Sequence, residues 1–309
     1  MKVWLITTGE QLPLNGERPN RTGMLSKTLI DNGHIVTWWT TTFDHQDKVY
    51  IKNKDASHTI NENFIIKYLH SSIPYSRNVS LRRLINHHMV AKKFSACALM
   101  ETTPDLIVCS FPTIDLAYAA VKYGQCFNVK VIIDVRDLWP EIFKVPFPKL
   151  LHPLIDILLA KYINKSKYAF KNCTNITAVS EKYLQYGLNL GSRVQSELDC
   201  VFPLGFQTHL MRNSLRDTIR SKFKENGLIE SKIIIWFVGT FGQTYDLATV
   251  IKSLQILENT NDIQFVFTGD GEQATQWKLL AKGNTNILFT GWVNRDELSF
   301  LSSIANIGL

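Results

Sequence analysis

Short apolar, β-branched runs alternate along this chain with longer stretches of helical period. The pattern predicts strands at Val3–Thr7, Ile35–Thr40, Phe64–Tyr68, Leu106–Cys109, Val131–Val135, Ile176–Val179 and Cys200–Phe202. Between them it predicts helices at Thr22–Asn32, Leu81–Met100, Ile114–Tyr123 and Leu150–Phe170. Strand and helix in alternation imply a parallel, doubly wound α/β sheet covered on both faces. After Pro203-Leu-Gly-Phe206 comes a charged helix, Ser214–Asn226, and the pattern restarts at Lys232–Val238, so one domain is placed at residues 1–205 and a second at 206–309. The second continues with Leu247–Glu258, Ile263–Thr268, Gln273–Lys282, Ile287–Thr290 and Arg295–Ile304, and Leu309 falls inside what reads as another strand. That domain is expected to be incomplete, the chain being truncated at its C-terminal side. The apolar stretch Leu150–Ile163 is interrupted by His152, Pro153, Asp156 and Lys161, which predicts a core or interfacial helix rather than a membrane span.

Length and composition change this picture little. At 309 residues, 45% hydrophobic and 20% charged, the chain can bury two cores, and disorder is excluded. Its five cysteines (Cys97, Cys109, Cys126, Cys173, Cys200) have neither metal-ligand nor redox spacing, which fits a reducing compartment. The first apolar run is too short for a signal peptide, so a cytoplasmic location is expected. Charge is more informative. The net charge is +7, and Asn63–Met100 holds six basic residues and no acidic one. Arg82, Arg83, Lys92 and Lys93 are therefore expected to approach anionic lipid or the diphosphate of an acceptor. Stacking aromatics are not interleaved with them, which argues against nucleic acid.

In a doubly wound sheet, chemistry sits at the carboxyl ends of the strands. Three exits in the second domain carry glycine: Val238-Gly-Thr-Phe-Gly242, Phe267-Thr-Gly-Asp-Gly-Glu272 and Phe289-Thr-Gly-Trp-Val293. Glycines there let backbone amides approach a diphosphate, so Gly239, Thr240, Phe241, Gly242, Asp270, Gly271, Gly291, Trp292 and Val293 are the candidate nucleotide-diphosphate site. In the first domain a long polar loop, Thr8–Arg21, follows the first strand, and Asp134-Val-Arg-Asp-Leu-Trp-Pro-Glu141 follows a later one. Carboxylates, guanidinium groups and an indole suit a saccharide, since rings stack on Trp while Arg and Asp hold hydroxyls. Gly9, Glu10, Arg18, Arg21, Arg136, Asp137 and Trp139 are the candidate saccharide site, although a buried Arg136/Asp137 pair that merely fixes the loop would look the same. The glycines do not form the dinucleotide fingerprint, and the sequence contains no P-loop, no Asp-x-Asp metal motif and no legible catalytic triad. No metal or cofactor is expected, and no catalytic residue is assigned.

These same segments resemble glycosyltransferase family 4, above all the bacterial O-antigen and capsule enzymes, including fucosamine transferases. The resemblance runs through YSRNVSLRRL (Tyr75–Leu84), DVRDLWPE (Asp134–Glu141), ITAVSEKY (Ile176–Tyr183), FPLGF (Phe202–Phe206), FVGTFGQTYDL (Phe237–Leu247), FTGDGE (Phe267–Glu272) and FTGWVNRDEL (Phe289–Leu298). It implies a GT-B fold of two facing Rossmann-like domains, with donor nucleotide on the C-terminal one and acceptor mainly on the N-terminal one. It also implies retaining, metal-independent transfer from a nucleotide-sugar donor to a polyprenyl-diphosphate-linked saccharide at the cytoplasmic membrane face, in lipopolysaccharide or capsule synthesis. Two departures accompany it: Thr240 and Tyr245 stand where many members carry Arg and Lys, and the paired donor-site glutamates of the family would lie beyond Leu309. A non-hydrolysing sugar-nucleotide epimerase, which shares the fold, and an inactive binding remnant are the alternatives.

Overall fold

The computed structural model describes residues 1–10, 12, 19–76, 80–144, 147–205, 211–242, 245–256 and 262–309. The chain divides into two compact units, Met1–Gly205 and Phe206–Leu309.

The first unit contains β1 (Lys2–Ile6), α1 (Arg21–Asp31), β2 (Ile35–Thr41), β3 (Ala56–Asn61), β4 (Phe64–Leu69), α2 (Leu81–Ala98), β5 (Leu106–Phe111) and α3 (Ile114–Phe127). It continues with β6 (Lys130–Val135), α4 (His152–Asn172), β7 (Asn175–Ala178), α5 (Glu181–Gly191) and β8 (Cys200–Val201), with short 3-10 turns at Glu141–Lys144 and Lys149–Leu151. Its sheet has the order β3-β4-β2-β1-β5-β6-β7-β8, parallel from β4 to β8. The sense of winding reverses beside β1, which brings the exits of β1 and β5 to a topological switch point. The central strands are apolar on both faces because helices cover both: Trp4, Ile6 and Trp39 face one core with Phe94 of α2, and Val3, Leu5 and Trp38 face the other with Leu25 and Leu29 of α1. Burial of that width is the main force holding the sheet.

Two elements depart from the expected pattern. β3 runs antiparallel to β4 at the edge of the sheet and leaves no mark in the pattern. Its sequence, Ala-Ser-His-Thr-Ile-Asn, is almost wholly exposed and offers no apolar alternation to read. α5 is likewise absent from the pattern, because Gly187 and Gly191 dilute its helical signal. A Cβ at Gly191 would stand 2.8 Å from the Phe170 backbone and one at Gly187 3.2 Å from Ile176, so the glycines let α5 lie close on α4 and β7.

The second unit comprises α6 (Asn213–Glu225), β9 (Ile233–Val238), α7 (Leu247–Ile256), β10 (Ile263–Thr268), α8 (Ala274–Leu280), β11 (Ile287–Gly291), α9 (Arg295–Ile304) and β12 (Ile307–Gly308). The sheet order is β11-β10-β9-β12, parallel throughout. One face packs Phe237, Phe265 and Phe267 against Trp277 and Leu254, the other packs Ile234, Val266 and Leu288 against Phe223 and Phe300. Asn294 and Glu297 close a reciprocal capping box that fixes where α9 begins.

Candidate functional site

At the carboxyl ends of β1 and β6 in the first unit, four charged side chains meet. Asp134, 4% exposed, accepts from Arg21 Nε at 2.8 Å and Arg21 Nη2 at 2.9 Å, from Arg136 Nε at 2.7 Å and from the Thr177 hydroxyl at 2.9 Å. Glu10 accepts from the Thr22 amide at 3.0 Å and the Thr22 hydroxyl at 2.9 Å, and also binds Arg136 Nη1. Arg21 reaches on to the carbonyls of Phe202 and Pro203, at 2.6 and 3.2 Å. The network is neutral: two guanidinium groups, two carboxylates. Burial pulls the Arg136 guanidinium down to about 10, which leaves it protonated at neutral pH.

Local sequence explains the geometry. Asn20 does not cap α1 with its side chain. The Glu10 carboxylate serves instead, on the first-turn amide of Thr22, where the helix dipole favours negative charge. A cavity of about 250 Å³ opens on this network between Glu10, Arg21, Met24, Arg136, Leu204 and Gly205.

A second, larger cavity of about 380 Å³ lies along the exits of β1 and β2, lined by Gly9, Glu10, Thr41, Asp44, His45, Lys52, His58 and Tyr68 among others. Its wall at His45 is braced from behind: His45 Nδ1 bonds the Tyr75 hydroxyl at 2.8 Å, and Arg83 lies 5.7 Å from the Tyr75 ring and 4.5 Å from the Trp139 ring. Burial first, then the charges of Arg83 and Lys48, hold the His45 imidazole down to about 4, so it is neutral at pH 7. The absence of a helical or strand period around Asp44–Lys52 hid these residues in the sequence. Only the position of His45 after the Thr-rich exit of β2 could have marked it.

The structure brings Gly9, Glu10, Arg21, Arg136 and Asp137 to one end of the first sheet, and Arg18 lies outside the described residues. Several expected roles change. Trp139 is 1% exposed, its ring packed on Phe143 and His87 beneath Arg83, so it presents no face for a sugar to stack on. Asp137 takes the Leu138 amide at 2.8 Å and the Trp139 indole N–H at 3.2 Å, while Arg136 turns to Asp134 and Glu10 rather than to Asp137. Tyr186 of α5 ties down the same loop, donating to the Trp139 carbonyl at 2.5 Å and contacting Glu141 at 2.6 Å. The cis Trp139-Pro140 peptide lies in this loop.

Of the basic residues of α2, Arg83 points inward to Tyr75 and Trp139, and Lys93 pairs with Asp55 at 2.7 Å. Arg82 and Lys92 are exposed. The four therefore do not form one cationic stripe.

In the second unit the three glycine-bearing exits interlock through the backbone. Gly239 donates to Thr268 at 3.0 Å, Phe241 to Asp270 at 2.9 Å, Gly242 to Thr240 at 2.9 Å and Gly269 to Gly291 at 2.9 Å. A Cβ on Gly269, at φ +134°, would stand 1.9 Å from the Gly239 carbonyl oxygen, so this approach requires glycine. Phe241 is fully buried beside Trp277, and its side chain anchors the loop in the core. The amides of Gly239, Phe241 and Gly242 are thus engaged within the loops instead of standing open for a diphosphate as expected. Trp292 is 72% exposed and, with Val293, Thr290 and Lys222, borders a cavity of about 190 Å³. Among the described residues, no group of three or more His, Cys, Asp or Glu side chains is placed to hold a metal ion.

Each unit is a Rossmann-like α/β domain with a largely parallel sheet, and comparison with solved structures gives the GT-B fold. Sucrose-phosphate synthase from Thermosynechococcus elongatus superposes with a TM-score of 0.67 at 13% identity over 99% of this chain and 74% of that one. The glycosyltransferase WaaG of lipopolysaccharide biosynthesis gives 0.60 at 13% identity over 100% and 74%. Anabaena HepE, in complex with UDP and glucose, gives 0.59 at 14% identity over 100% and 73%. Residues 218–308 match the family described as Glycosyl transferases group 1. No curated protein sequence matches the chain. Together the family match and the fold support glycosyl transfer.

Proposed function

We propose that this chain is a retaining glycosyltransferase of family 4, moving a hexose or amino-sugar from a UDP- or GDP-sugar to a lipid-linked saccharide in surface polysaccharide synthesis, at the cytoplasmic face of the membrane. The observation that carries the reading is the group 1 glycosyl transferase match over residues 218–308, in a chain whose whole length follows the GT-B fold. HepE binds UDP and glucose on this fold, which supports a nucleotide-sugar donor here. In the reaction the bond between the sugar C1 and the diphosphate oxygen breaks, an acceptor hydroxyl oxygen bonds C1, and its proton passes to the departing diphosphate.

The first unit suits an acceptor that is a saccharide. Its charged network is already neutral and Glu10 already occupies the start of α1, so the cavities there favour hydroxyl groups over phosphate. Thr41, Asp44, neutral His45 and Lys52 offer both donors and acceptors around the larger cavity.

The test is turnover with a panel of UDP- and GDP-sugars, with and without undecaprenyl-diphosphate-linked saccharide, in the presence of a chelator. Sugar transfer that requires the acceptor and survives chelation is expected. Donor epimerisation without any acceptor would overturn the reading in favour of an epimerase.

A further inference from the structure

The first turns of α4 are apolar on the wrong side for a core helix. Leu154, Ile157 and Leu158 are 57, 72 and 72% exposed, and Leu150 in the preceding turn is 89% exposed. At about 100° per residue these positions, with Lys161, fall on one face. The opposite face carries the buried Leu159, Ser166 and Phe170 that seat α4 on the sheet. The helix is therefore amphipathic in the ordinary way through its second half and apolar on its outer face through its first.

Charge around the stripe has one sign. Residues 144–171 hold six lysines and a single acidic residue, Asp156. Asp156 pairs with Lys144 at 2.5 Å, and the exposed lysines Lys149 and Lys161 stand at the two ends of the stripe. No described helix is long and apolar enough to cross a membrane. An exposed apolar stripe bracketed by cations, with its one carboxylate already neutralised, complements an anionic bilayer: leucine and isoleucine enter the acyl boundary while lysines remain at the phosphates.

We infer that residues 149–161, the 3-10 turn and first half of α4, are the surface by which this protein docks on an anionic membrane, in place of the α2 cations. This rests on the proposed lipid-linked acceptor and gives that acceptor's membrane a definite point of contact. Docking would set the carboxyl end of β6, which leads into this segment, close to the lipid surface.

Co-sedimentation of the full chain with vesicles of phosphatidylcholine containing phosphatidylglycerol, and with phosphatidylcholine alone, tests it. The wild type should bind the anionic vesicles more tightly and lose binding as salt rises. Ile157→Glu with Leu158→Glu, both at solvent-facing positions, should lower partitioning on the order of a hundredfold with an unchanged circular dichroism spectrum. Lys149→Ala with Lys161→Ala should weaken binding to the anionic vesicles alone by about thirtyfold. Arg82→Ala with Lys92→Ala should change it little. Wild-type protein that leaves both kinds of vesicle untouched, or glutamate variants that still sediment, would overturn the assignment. So would sedimentation velocity showing a wild-type dimer that the glutamate pair dissociates, since the stripe would then be a self-interface. Nucleotide-sugar binding, measured in parallel by calorimetry, separates the two readings: a protein that binds donor but ignores vesicles fails only the membrane inference.

Discussion

Asp134→Ala removes the centre of the charged network and gives the sharpest test of how the first unit is held. The substitution deletes three charge-assisted bonds, two from Arg21 and one from Arg136, together with one from Thr177. Arg21 keeps the Phe202 and Pro203 carbonyls, and Arg136 keeps Glu10 and Thr22. Two guanidinium groups, each 16% exposed, are left with one carboxylate between them. Breaking a buried pair from one side costs about 3–5 kcal/mol, and the partial exposure of both arginines puts the loss near the lower end. With a urea slope of about 2 kcal/mol per molar, the midpoint should fall by about 1.5 M. Urea unfolding at pH 7 reports it through tryptophan fluorescence, Trp4, Trp38, Trp39 and Trp139 all lying in this unit. Thr177→Val, which removes one neutral donor, should cost only about 1 kcal/mol. Adding Arg21→Met to Asp134→Ala should recover part of the loss, because the unpaired cation goes with it. A midpoint shift below about 0.3 M for Asp134→Ala at unchanged slope would refute the reasoning.

Three further outcomes are expected. His45 is held down to about 4 in the folded chain, against about 6.5 unfolded, so its contribution is complete above pH 6.5 and is lost as pH falls toward 4. Allowing for its partial exposure, that is about 2 kcal/mol, and His45→Gln should flatten the decline of the urea midpoint between pH 7 and 4.5; parallel curves for the two proteins would exclude it. Gly269→Ala should lower the melting temperature of the second unit severely, a cost of about 3 kcal/mol or more, because its Cβ would enter the Gly239 carbonyl. Gly283→Ala, which meets nothing within 4 Å, should cost only about 1 kcal/mol for its positive φ.

What the sequence announced and what it hid divide along the range of the interactions. β10 and α9 begin and end where their pattern says, because a short continuous run of residues buried on both faces and the Asn294 capping box are written within a few residues. β3 was invisible, since an exposed edge strand needs no apolar code and is held by its ladder to β4. Glu10, Arg21 and Arg136 stand out in the sequence as charges at strand exits, but their partners are up to 182 positions away. Nothing local could say that Glu10 would cap α1 or that Arg136 would turn from its neighbour Asp137 to Asp134. Trp139 shows the converse error: an indole beside carboxylates reads as a sugar platform until the fold buries it under Arg83. The two His45 neighbours that brace it, Tyr75 and Arg83, come from 30 and 38 positions further along the chain, beyond any motif.

The exposed and polar β3 also bears on how the first sheet meets its surroundings. One border of that sheet is closed by Ser57, His58, Thr59 and Asn61, and the opposite border, β8, is only two residues long. Neither border offers a passing chain an extended apolar ladder to join. A polypeptide at high local density would find no template for cross-strand association there. The strand that gave no signal in the sequence is thus a guard, and its lack of hydrophobic pattern is the property that makes it one.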